Sequence, residues 1–223
     1  MSGPSVEVDR LARRFGARWA VAGISFVVPA DGALMITGAN GSGKSTLLRM
    51  LSTAIKPHHG HVRIDGSELW EHRAALRPRI GWLAHQLQLY EDLSPRENLA
   101  ILAQLTEGAL DLDAVLSRVG LDPTRTDPLK ALSAGMRRRA ALARLLLKRP
   151  GLVLLDEPFS ALDPVGRTLL LDVLRELRAE GTTMILATHM PGTACLVCDD
   201  AIHLENGRVG WAGAASAHPG IGE

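Results

Sequence analysis

Two cysteines, one tyrosine and three phenylalanines are all that this chain of 223 residues carries of those types, so neither thiols nor aromatic rings assign it to a class. Cys195 and Cys198 form a lone C-x-x-C. Such a pair suits redox chemistry or half a metal site, but zinc wants four ligands and no second pair exists, so ordinary buried thiols are the expectation. An excess of one charge is also missing: 25 basic against 24 acidic residues leave a net charge of +1. A nucleic-acid binder would concentrate basic residues far beyond their acidic partners, so no nucleic-acid partner is expected. Long apolar runs are absent as well, and none approaches the length that crosses a bilayer. The polar opening Met1-Ser2-Gly3-Pro4 is no signal peptide, which predicts a chain that stays in the cytoplasm. Neither an internal repeat nor a low-complexity segment is found.

What is present is ordinary globular usage, 46% apolar and 22% charged, which argues against disorder. The length allows one large α/β domain, or a core with a smaller inserted lobe. Val6 and Val8, Ile24 to Val28 and Val62 to Ile64 are short runs with partial alternation, as half-buried antiparallel strands require, and predict a small β lobe. Ala33 to Thr37, Leu152 to Leu155 and Met184 to Ala187 are continuous apolar runs, the pattern of parallel strands covered on both faces. Helical spacing follows two of them: Leu47, Met50, Leu51 and Ala54, then Leu170, Val173, Leu174 and Leu177 with Gly181 as C-terminal cap.

Between Gln86 and Pro150 the pattern is helical only, opening on Ser94-Pro95-Arg96-Glu97, a capping box with proline at the first helical position. Residues 86–150 therefore read as a helical insertion into a core and β lobe made of 1–85 and 151–212. Ile202 to Val209 reads as a hairpin closed by Asn206-Gly207, and 213–223 as a loose tail. His58, His59 and His61, flanked by Pro57 and Gly60, read as a turn between elements. Arg137, Arg138, Arg139, Arg144, Lys148 and Arg149 read as a solvated helix face.

Gly38, Ala39, Asn40, Gly41, Ser42, Gly43, Lys44 and Ser45 fit G-x-x-x-x-G-K-[ST] between a buried strand and an amphipathic helix. Glycines let backbone N–H groups turn toward phosphates, the helix N-terminus adds a favourable dipole, and Lys44 supplies a point charge. Ser45 is expected to hold Mg²⁺ through its hydroxyl. Asp156 ends a buried strand, so its carboxylate emerges at the edge where open α/β sheets bind ligands, within reach of Mg²⁺. Glu157 follows immediately and can accept a proton from a water attacking a γ-phosphate, which makes it the candidate general base.

These segments, with Leu132-Ser133-Ala134-Gly135-Met136 between them, resemble the ATP-binding cassette (ABC) family. Gly38 to Thr46, Leu132 to Met136, Leu154 to Pro158, Ser160 to Asp163 and Thr188-His189 look like its Walker A, signature, Walker B, D-loop and H-loop segments, and the likeness spans nearly the whole chain. It implies one domain: a P-loop, RecA-like α/β core with an antiparallel β lobe and an inserted helical lobe. It implies that ATP and Mg²⁺ are bound, with Phe15 stacking on adenine, His189 beside the γ-phosphate, and Ser133 and Gly135 facing ATP held by a second copy of the chain. It further implies integral membrane transporter subunits as partners, seated in a groove between Gln86 and about Leu105, and a peripheral place on the cytoplasmic side of the inner membrane.

The chain departs from that family at three places. Ala134 and Met136 replace the usual glycine and glutamine of the signature, and Met190-Pro191 follows His189 where an acidic residue is common. Alignment from Ser94 places His85 at the usual metal-side glutamine, although Gln86 is the favoured candidate of the two. Leu132 to Gly135 together with Gly81 to Gln86 resemble, within the family, the ATPase subunits of cytochrome c maturation haem exporters. ATPases of multidrug, lipid or polysaccharide exporters carry similar motifs.

Overall fold

The three continuous apolar runs form the middle of a six-stranded sheet in the computed structural model, which describes residues 2–104 and 111–221. In chain order the strands are β1 (Val6–Phe15), β2 (Arg18–Val28), β3 (Ala33–Gly38), β4 (His59–Ile64), β5 (Ser67–Glu68), β6 (Ile80–Leu83), β7 (Leu152–Asp156), β8 (Thr183–Ala187), β9 (Asp200–Glu205) and β10 (Arg208–Ala214). The helices are α1 (Lys44–Leu51), α2 (Arg73–Leu76), α3 (Pro95–Ala103), α4 (Leu112–Arg118), α5 (Ala134–Leu147), α6 (Pro164–Ala179) and α7 (Pro191–Ala194). The larger sheet has the order β10-β9-β3-β8-β7-β6, parallel except for the β9-β10 hairpin.

Both faces of this sheet are covered, which is why its strands lack alternation. Met35, Val153, Leu155, Met184 and Leu186 face a cluster that includes α5 and α6, whereas Leu34, Ile36, Leu152, Leu154 and Ile185 face one that includes α1 and the β lobe. Helix α6 buries Leu170, Val173, Leu174 and Leu177 on one stripe, and full burial of each contributes about 1.5–3 kcal/mol. It ends as its sequence predicts, with Gly181 in the left-handed region at φ +83°. Ala54, expected on the buried stripe of α1, lies beyond the helix and is exposed.

The smaller sheet, order β2-β1-β4-β5, is antiparallel throughout. Its inner residues Val6, Val8, Ile24, Val28, Val62 and Ile64 are buried, and Ser25 and Val27 between them are exposed. His59 and His61 depart from the expected turn. Pairing with Ala12 and Asp9 of β1 extends β4 back to His59.

Described residues between 86 and 150 contain helices and no strand. Ser94 caps α3 as its capping box requires, accepting from Glu97 N while Glu97 accepts from Ser94 N. The tail from 213 differs from its expectation. Gly213 and Ala214 belong to β10, Ala215 and His218 are buried, and Ile221 N donates to His218 O at 3.0 Å. The reason is a polar contact that spacing does not reveal: His218 Nε2 lies 2.7 Å from Thr37 Oγ1 on β3. Among the described residues no helix is long and apolar enough to cross a membrane.

Candidate nucleotide-binding site

β3, β8 and β7 lie side by side, so the turns leaving β3 and β7 emerge at one edge of the sheet, where ligands of open α/β sheets bind. The turn after β3 is the glycine-rich loop. Gly43 caps α1 at φ +112°, and a Cβ there would lie 2.3 Å from Ala20 O; a Cβ on Gly38 would lie 2.4 Å from Leu204 O. Neighbouring backbone therefore closes in on the loop from β2 and β9, and only glycine fits. Gly207 N in the β9-β10 turn donates to Ser42 O at 3.0 Å, which fixes the loop from the same side.

Lys44 Nζ donates to Gly38 O at 2.7 Å and to Ala39 O at 3.2 Å, so the ammonium is held over the loop it serves. The cleft above it has a volume of ≈ 470 Å³ and is lined by Phe15, Arg18, Ala20, Asn40, Gly41, Gly43, Lys44, Ser45, Thr46, His85 and Glu157. Phe15 is 48% exposed, with the Arg13 guanidinium 5.3 Å from its ring centroid, so a broad aromatic face stands at the mouth. An anion reaching the loop meets free N–H groups, a helix N-terminus and a lysine.

Ser45 Oγ donates to Asp156 Oδ1 at 3.1 Å. Burial pushes the Asp156 carboxyl above its usual range, and Glu157 adds to that, while the Ser45 hydrogen bond, His85 and Arg138 pull it back. A hydroxyl and a desolvated carboxylate converging at the loop are an all-oxygen donor pair of the kind Mg²⁺ takes, and a cation there would offset the cost of burying the charge. Glu157 Oε2 accepts from His189 Nδ1 at 2.7 Å and from His189 N at 3.2 Å. The turn after β7 and the turn after β8 are thus joined by a hydrogen-bonded Glu–His pair, of which Glu157 lines the cleft and His189 does not.

Leu132 to Met136 do not line this cleft. Ser133 caps α5, accepting from Met136 N at 3.2 Å, and is exposed, as Ala134 is. Met136 packs its side chain against the core cluster, which accounts for an apolar residue where an amide is usual. Asp163 caps α6, accepting from Gly166 N at 2.8 Å. Of the two metal-side candidates, His85 lines the cleft and also, together with Gln86, Ala134, Ser160 and Ala161, a second hollow. Gln86, the favoured candidate, is thus not among the residues lining the cleft. Leu105, at the far end of the expected groove, lies outside the described residues.

Arg138 is the residue that sequence reasoning misplaced. It is 5% exposed, not solvated, and donates to Asp156 O at 2.6 Å, to Pro158 O at 3.2 Å and to Glu157 O. Its spacing from Leu142 and Leu145, four and seven residues on, already places it on the buried stripe of α5. Arg144 donates to Gln88 O at 2.5 Å and Lys148 to Arg77 O at 3.0 Å, so these two also bind backbone. Cys198 is buried, which pushes its thiol up to about 12, and both cysteines are free.

Fold and site define a P-loop nucleotide triphosphatase with an inserted helical lobe. The sequence profile of the family described as ABC transporter matches residues 21–160. The cytochrome c biogenesis ATP-binding export protein CcmA of Paramagnetospirillum magneticum is 42% identical over 208 residues, covering 89% of this chain and 96% of that protein. The daunorubicin resistance ATP-binding protein DrrA3 of Streptomyces coeruleorubidus is 34% identical, covering 94% of this chain and 68% of that protein. A dimeric ATP-binding cassette solved in a post-hydrolysis state with ADP and Pi superimposes with a TM-score of 0.85 at 25% identity, covering 94% of this chain and 98% of that one. The chain belongs to the ABC transporter family, as an ATP-binding, ATP-hydrolysing subunit of a membrane transporter.

Proposed function

We propose that two copies of this chain close face to face on two ATP·Mg²⁺ and that hydrolysis reopens them to drive export, with haem for cytochrome c biogenesis as the cargo. The single observation that carries the pairing is that Ser133 and Gly135 stand outside the cleft holding Lys44. A helix N-terminus with an exposed hydroxyl suits an anion, and a second copy's γ-phosphate is the partner of matching chemistry. Ser45 and Asp156 would hold Mg²⁺, which neutralises charge between the phosphates. Glu157 takes the proton of the attacking water, and His189 holds its carboxylate in place.

The cargo reading rests on likeness to CcmA over nearly that protein's whole length. Deleting the gene and restoring it on a plasmid, with covalent haem in c-type cytochromes and resistance to anthracyclines as paired readouts, tests it. Loss of covalent haem that the plasmid restores supports haem export. Unchanged cytochromes with altered drug resistance would reassign the cargo. Purification from membranes should bring down the integral subunits.

A further inference from the structure

Glu157 has its backbone at φ +50°, a left-handed conformation that a non-glycine residue adopts at a cost of about 1–2 kcal/mol. Such a residue stays put only where its surroundings over-determine it. Here they do. Its N–H donates to Ala187 O at 2.9 Å, and its carbonyl accepts from Ser160 Oγ at 2.8 Å and from Arg138 Nη2. Arg138 also grips the carbonyls on either side, those of Asp156 and Pro158, so one guanidinium spans three successive peptide groups of the turn that aims Glu157.

Arg138 reaches that turn from α5, the helix that Ser133 caps. Five residues separate cap and arginine, about 7.5 Å along a rigid helix. Resting on the reading of paired copies, we infer that Arg138 is a positioning residue that ties the aim of Glu157 in one ATP site to the seating of Ser133 and Gly135 on the other. When the N-terminus of α5 moves onto the partner's ATP, the planar fork moves with it and shifts three carbonyls of its own subunit's turn. A guanidinium suits this because its five donors are held in one plane, whereas an ammonium offers a single nitrogen.

The test is steady-state hydrolysis by the purified chain carrying Arg138→Gln or Arg138→Lys, with ATP affinity and urea unfolding measured alongside. Misaiming a reacting group by about 1 Å costs on the order of a hundredfold. Arg138→Gln should therefore lower kcat by about ten- to a hundredfold with KM for ATP within about twofold, and reduce the Hill coefficient toward one. Arg138→Lys, which keeps the charge and some of the bonds, should recover part of both. Unchanged kcat and Hill coefficient in Arg138→Gln would overturn the inference. So would a loss of kcat that tracks the unfolding midpoint in both variants, since that marks a purely structural arginine. Mixed dimers bearing Ser133→Arg in one copy test the pairing separately. If they keep both sites at full rate, the paired reading fails whatever Arg138 does, and the link through α5 fails with it.

Discussion

Replacing Glu157 with glutamine separates binding from chemistry in this site. The Glu157 side chain is 15% exposed, and Oε2 accepts two hydrogen bonds from His189, at 2.7 and 3.2 Å. A glutamine carbonyl accepts both, so the turn after β7 and the packing around it are retained. The residues around the phosphates, Lys44, Ser45 and the glycine loop, are untouched. On the proposed mechanism, what disappears is the proton acceptor. General-base catalysis contributes typically about 10²–10⁴-fold, which at 1.36 kcal/mol per decade is about 2.7–5.4 kcal/mol of barrier. ATP release of phosphate under saturating Mg²⁺ should fall by that factor, while equilibrium ATP binding changes by less than about threefold. If closed copies wait on hydrolysis to reopen, as proposed, size-exclusion chromatography with ATP should show a dimer that the wild-type chain populates only transiently. A variant with turnover within tenfold of wild type, or one that loses ATP binding in step with turnover, would remove Glu157 from the role of base.

Three further outcomes are expected. In mixed dimers, Ser133→Arg in one copy should abolish hydrolysis at the site containing the other copy's Lys44 and, through α5, slow the site containing its own to a lesser degree; full rate at both sites would argue against a shared site. Gly43→Ala should weaken ATP binding more than about tenfold, because its Cβ would meet Ala20 O at 2.3 Å and backbone must shift; normal affinity by isothermal titration would contradict the packing described. Acid should loosen the carboxyl-terminal segment through His218, whose Nδ1 accepts from Gly220 N at 3.0 Å and whose pKa burial, then His203, pushes below 6.5. A neutral histidine favoured in the folded state contributes stability in full above about pH 6.5, and that contribution is lost as pH falls through the lowered folded value. Urea midpoints followed from pH 8 to pH 5 should therefore fall less steeply for His218→Gln than for wild type, and parallel curves would exclude this histidine.

Much of the site is legible in the sequence because its parts are local. A phosphate loop is built from neighbours in the chain, so Gly38 to Ser45 between a buried run and a helical stripe was readable, as were the Ser94 capping box and the Asn206-Gly207 turn. The three buried runs were legible for a related reason. Strands covered on both faces lose alternation, and that shows in composition alone.

Long-range polar contacts were not legible, since hydrophobic periodicity says nothing about which carbonyl a buried donor meets. Arg138 sat among five other basic residues and took their solvated reading, yet its stripe on α5 faces the turn after β7. His218 lay in a segment with no periodic signal, and only the adjacency of β3 and β9 brings Thr37 to it. Which of His85 and Gln86 lines the cleft depends on how the chain leaves β6, and periodicity does not report that.

By itself, then, the sequence determined a phosphate-binding α/β chain with an inserted helical segment, because backbone-local chemistry and burial on two faces leave their marks residue by residue. Only the tertiary structure decided that the signature segment is absent from the lining of its own cleft and that Arg138, on the helix it opens, grips the turn carrying Glu157. Those two facts depend on which strands lie side by side and which face of α5 is buried, and such placement is a property of the packed whole.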